Sequence, residues 1–115
     1  MRAYQREARA QEARRAASLS DRYHEARDAA MAAARQLKEQ HGATKVLLFG
    51  SVASGIGFHE RSDIDLAVEG ISVQGFWRAS SDAERAARPF EIDVIDLAAA
   101  PPSLRAHIED TGVCL

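Results

Sequence analysis

Leu48-Phe49-Gly50-Ser51, followed after eleven residues by Asp63-Ile64-Asp65-Leu66, is the stretch on which the fold turns. Val46 to Phe49 is a continuous apolar run closed by Gly50, the pattern of a strand buried on both faces. Residues 50–62 carry Gly50, Gly55 and Gly57 and read as a loop with space for one helical turn over 52–55. Asp63 to Val68 reads as a second strand. Working outward, Ser72 to Arg88 is a helix that tolerates Gly75 and is stopped by Pro89, and Phe90 to Leu97 is a third strand. Pro101-Pro102-Ser103 then opens a last short helix that Gly112 closes.

Upstream, Met1 to about Gln40 is rich in Ala, Arg, Glu and Gln and holds neither Gly nor Pro, so helix propensity is high throughout. Gly42 can take the left-handed conformation that ends a helix. Leu19, Tyr23, Ala26, Ala30, Ala33 and Leu37 fall on one stripe, either a docking surface for a partner or the face that packs on the domain's own sheet. Ser18 with Asp21 can form a capping box, which leaves one helix or two open. The resulting class is α/β (α+β), a small mixed sheet of at least three strands flanked by helices, with a long N-terminal helix. Residues 1–41 form a helical segment and 42–115 the domain proper, one compact unit overall.

With 115 residues, 46% of them hydrophobic and 28% charged, the chain suits a single globular domain and not a disordered one. No run approaches the ~20 apolar residues of a membrane span, and the Arg-bearing N-terminus is unlike a signal peptide, so a cytoplasmic location is expected. The lone Cys114 excludes an internal disulfide and a cysteine-rich zinc site, and reads as a tail residue. The net charge of -2 argues against direct nucleic-acid binding. Charge is uneven, since residues 1–18 hold five Arg against two Glu. That segment is a solvated face or a specific contact. His24, His41, His59 and His107 lack metal-ligand spacing and read as surface residues, and Phe76, Trp77 and Phe90 read as core.

Aspartate is disfavoured in strands and costly to bury, so Asp63, Asp65 and Asp93 demand compensation. The period of two puts Asp63 and Asp65 on one face with Cα atoms roughly 6–7 Å apart. Asp93, on the next strand, can close the same face, and Asp96, of opposite parity, is the alternative. Carboxylates gathered around one point repel unless a cation neutralises them, and hard oxygen ligands favour Mg²⁺, which in turn suggests phosphate. Gly50-Ser51 supplies a phosphate holder: Gly lets the backbone approach a ligand and Ser adds a hydroxyl.

Leu48-Phe49-Gly50-Ser51, Asp63-Ile64-Asp65-Leu66 and Ile92-Asp93-Val94 together resemble the nucleotidyltransferase superfamily of DNA polymerase β in its minimal, single-domain form, over about Val46 to Leu115. The resemblance implies a nucleotidyltransferase-like fold. It implies that Gly50 and Ser51 hold the triphosphate of ATP, that Asp63 and Asp65 bind Mg²⁺, and that Asp93 completes the metal and catalytic site. The expected reaction is in-line attack on the α-phosphate with pyrophosphate leaving. The chain departs from the pattern in two places. The eleven residues between Ser51 and Asp63 are one more than usual, and Val52 and Ser54 stand where Arg is common in such proteins.

Small proteins of this form resemble the antitoxins of two-gene toxin–antitoxin pairs whose toxin is a HEPN ribonuclease, encoded by a neighbouring gene. The implied activity is AMPylation, transfer of AMP from ATP to a toxin tyrosine, within a hetero-oligomer. A non-catalytic antitoxin that neutralises its partner by binding is the alternative. Nucleotidyl transfer to a small molecule or an RNA end is a third reading, which the absence of an extra substrate domain disfavours.

Overall fold

The computed structural model describes residues 2–115, with side chains from residue 5 onward. A helix α1 (Arg2–His41) leads into strand β1 (Lys45–Phe49), a one-turn helix α2 (Ser51–Ser54) and strand β2 (Ile64–Glu69). Helix α3 (Phe76–Ala87), strand β3 (Ile92–Asp96), a 3-10 turn (Leu97–Ala99), helix α4 (Pro102–Thr111) and strand β4 (Val113–Cys114) complete the chain. The sheet order is β3-β2-β1-β4, with β2 and β3 parallel and β1 antiparallel to both its neighbours. The sheet is therefore mixed and has four strands. The fourth, too short to announce itself in the sequence, is held at the edge by pairing of Val113 and Cys114 with Leu48 and Leu47.

Alternation along the strands feeds two cores. Val46, Leu48, Ile64, Leu66, Val68 and Ile92 face α1 and α3, and Leu47 and Ala67 face Leu97 and Ile108 on the other side. Where α1 runs along α3 the contact is built from alanines, Ala26, Ala30, Ala33 and Ala34 with Ala79, Ala83 and Ala87, all buried. Small side chains let the two backbones approach closely, and Leu37 supplies bulk at one end. The alanine stripe is thus the packing face for the chain's own core, and the docking alternative for it does not hold.

Several sequence expectations are corrected here. Helix α1 is continuous from Arg2 to His41, so Ser18 and Asp21 lie mid-helix and do not cap a new one; Met1 lies outside the described residues. Asp63 lies just outside β2, and α3 begins at Phe76 after a turn over 72–75. Trp77 is 83% exposed on α3, because the helix turns Phe76, Ala79 and Ala83 inward and Trp77 away. His41 is not a surface histidine: its ring Nε2 lies 2.6 Å from Asp82 Oδ2 and ties the end of α1 to α3. Among the described residues no helix is long and apolar enough to cross a membrane.

Candidate active site

β1 ends at Phe49, and Gly50 turns the chain with φ 75° and ψ -158°, a conformation open only to glycine. The same residue leaves room for a neighbour. A Cβ built on Gly50 would stand 2.5 Å from Asp65 Oδ2, so the carboxylate occupies the space that any other residue would fill. The Gly50 carbonyl accepts from the Ala53 and Ser54 amides, both at 3.1 Å, which starts α2 at Ser51. Val52 is fully buried and Ser54 Oγ donates back to Gly50 O, so the two positions where Arg is common serve here to seat and close the turn.

Register brings the carboxylates to this turn. Phe49 pairs with Asp65 across β1 and β2, and Asp65 pairs with Asp93 across the parallel β2 and β3. Register partners in adjacent parallel strands present their side chains on the same face, about 4.8 Å apart. Gly50, Asp65 and Asp93 therefore meet at one end of three neighbouring strands, and Asp63, two residues before Asp65, stands exposed at the mouth. Asp96 is at the other end of β3, opposite Val68, where its carboxylate accepts from the Ala98 amide at 3.1 Å and caps the 3-10 turn. Between the two alternatives for the third carboxylate, the geometry places Asp93 beside Asp65 and gives Asp96 another task.

Asp65 is half-buried, and burial pushes its carboxyl above the ordinary carboxylate value, helped by the charges of Asp93 and then Asp63. Among the described residues no group of three acidic, histidine or cysteine side chains is drawn together as a finished metal centre. The donor set nonetheless suits a hard divalent cation: carboxylate oxygens that repel one another beside a glycine turn. The fit is one of chemistry and position.

Two features escaped the sequence reading. Arg27 of α1 donates to the Ala53 carbonyl at 3.2 Å and to that of Val52 at 3.4 Å, and also to the Tyr23 hydroxyl at 3.1 Å, so α1 clamps the last turn of α2. Arg22, five residues earlier, lies over the Phe90 ring at 4.7 Å. The only signal for the clamp is the Tyr23/Arg27 spacing of four on the helix, which does not say what lies opposite. Ser62 and His59 serve the loop itself: the His59 amide donates to Ser62 Oγ at 2.9 Å, and the Arg61 amide to His59 Nδ1 at 3.1 Å.

Comparison with known proteins bears on the family and the fold. A model of the family described as polymerase beta, nucleotidyltransferase, matches residues 33–115. A solved structure assigned to a minimal nucleotidyltransferase superposes with a TM-score of 0.59 at 30% identity, over 71% of this chain and 90% of that one. A toxin–antitoxin crystal structure with AMP-PNP gives a TM-score of 0.60 at 25% identity, over 70% of this chain and 67% of the other. A mutant of the toxin–antitoxin MntA-HpeT shares the fold, with a TM-score of 0.58 at 21% identity over 70% and 66% of the two chains. No curated protein matches the sequence.

Proposed function

Because the chain belongs to the polymerase beta nucleotidyltransferase family, we propose that it is an antitoxin that transfers AMP from ATP, with Mg²⁺, to a tyrosine of a HEPN ribonuclease toxin encoded beside it. The observation that carries this reading is the meeting of Gly50-Ser51, Asp65 and Asp93 at one end of β1, β2 and β3. Likeness to a toxin–antitoxin structure with AMP-PNP supports the partner class and the adenine nucleotide. In this reading Gly50 and Ser51 seat the triphosphate, Asp63, Asp65 and Asp93 hold Mg²⁺, and Asp93, exposed at the edge, orients the acceptor hydroxyl and takes its proton. The acceptor oxygen bonds to the α-phosphorus as the bond to the bridging oxygen breaks, and pyrophosphate leaves with that electron pair. Mg²⁺, when bound, neutralises carboxylate and phosphate charge.

Intact-mass spectrometry of the co-expressed partner after incubation with ATP and Mg²⁺ tests the reading. The expected result is added mass in steps of one AMP, absent with Asp63→Asn/Asp65→Asn. A partner that stays unmodified yet co-purifies, and is silenced equally by that double variant, would favour neutralisation by occlusion.

A further inference from the structure

Three cavities meet end to end, the second and third of them against α1. The first, about 380 Å³, holds Asp63 and Asp93 together with Phe90. A second, about 360 Å³, shares Asp63, Pro89 and Glu91 with it and reaches Arg22 and Arg61. The third, about 590 Å³, shares Arg22, Glu60 and Arg61 and extends to Arg15 and Ser18. Common walls make them one groove, acidic at the proposed metal carboxylates despite Arg88 and basic at the far end despite Glu60. Arg15 and Arg22 are two helical turns apart, about 10.5 Å along one face of α1.

Glu60 also lines the basic end but forms no ion pair with the arginines there. Among the described residues the ion pairs are Arg14 with Glu7, Asp82 with His41 and Arg85, and Arg105 with Glu69 and Glu109, and none involves Arg15, Arg22 or Arg61. Arg22 is half-buried, stacked on Phe90, and its Nε is buried with no acceptor. A guanidinium stacked in this way has little further freedom to lose on binding, and its terminal nitrogens can donate to a carboxylate.

We propose that this groove receives the acceptor protein as an acidic segment, whose carboxylates meet Arg15, Arg22 and Arg61 while an uncharged, hydroxyl-bearing residue reaches Asp63 and Asp93. The proposal rests on the reading of the chain as a protein nucleotidyltransferase and adds what selects the acceptor. A protein segment fits better than a nucleic-acid backbone. Phosphates spaced evenly along the groove would meet Glu60, then Glu91 and Asp63, whereas a peptide can confine its charge to the arginine-rich end, where Glu60 alone opposes it.

The test is fluorescence anisotropy at low salt with the full chain and three labelled probes: a short Glu/Asp peptide with one Tyr, its Lys counterpart, and single-stranded oligouridine of equal length. The acidic peptide is expected to bind best, and Arg22→Gln, or Arg15→Gln/Arg61→Gln, to weaken it about tenfold or more. The double variant changes two exposed residues, so its result does not depend on repacking around Phe90. Arg35→Gln, exposed elsewhere on α1, should leave binding unchanged. Tighter binding of oligouridine, equal binding of the Lys peptide, or indifference to the double variant overturns the proposal. Asp65→Asn separates the two readings. Retained peptide binding in that variant, even where the wild type transfers no AMP, supports the groove, and wild-type transfer without any acidic-peptide binding removes the groove alone.

Discussion

At the scale of single residues the site is a compromise between Gly50 and Asp65. The carboxylate fits because the turn carries no Cβ, and it sits half-buried beside two like charges. Its pKa in the folded chain is raised above the usual 3.8. The folded state therefore takes up a proton before the unfolded state does as pH falls, and stability falls as pH rises through that window. Asp65→Asn should raise the melting temperature at pH 7 in metal-free buffer, with the gap closing in acid. Adding MgCl₂ should then stabilise the wild type more than the variant. Differential scanning fluorimetry reads all three, and a lower melting temperature for the variant at pH 7 would refute the account of repulsion at this turn. Stability surrendered at a charge cluster is a common mark of a working site.

Among elements, the contact of α1 with α3 decides how the groove is framed. Alanine faces bring the helices close, and a polar tie finishes the contact where His41 meets Asp82 and Arg85 pairs with the other Asp82 oxygen. The His41 bond, then Arg85, hold the Asp82 carboxyl below the ordinary 3.8. Such a group stabilises the fold above its unfolded value, and the contribution is lost as pH falls through the lowered one. Asp82→Asn should therefore melt earlier than wild type at pH 7, and thermal scans taken at successively lower pH below 3.8 should show the difference shrink. The alanine repeat was legible in the sequence, since a stripe at helical spacing must pack on something. Its partner was not, because alanines on α3 carry no mark that pairs them with alanines on α1.

The whole molecule measures 62 × 29 × 17 Å, with a radius of gyration of 17.1 Å against about 13 Å for a compact domain of this order. The difference comes from α1, whose forty residues extend about 60 Å and outrun the sheet. From residue 5 to residue 18 nearly every side chain is exposed. Removing residues 1–13 should leave the core intact, change the unfolding free energy by less than about 0.5 kcal/mol in urea, and bring the radius of gyration in small-angle scattering toward the compact value. A collapse of stability on truncation would show that the projecting helix contributes to the fold.

Gly50-Ser51, the spacing of Asp63 and Asp65, and the alternation of apolar residues around them are local patterns. The side-chain period of a strand and the freedom of glycine act over a few residues, and so the strands, the turn and the family resemblance could be read directly from the sequence. Trp77 was misplaced for a related reason: helical periodicity shows that a face exists, and only the packed neighbour shows which one is covered. The pairing of Asp65 with Asp93 instead of Asp96, the grip of Arg27 on α2 and the groove from Asp93 to Arg15 depend on strand register and on where a long helix crosses a sheet. Those are contacts between residues far apart in the chain, and only burial of both cores at once selects them.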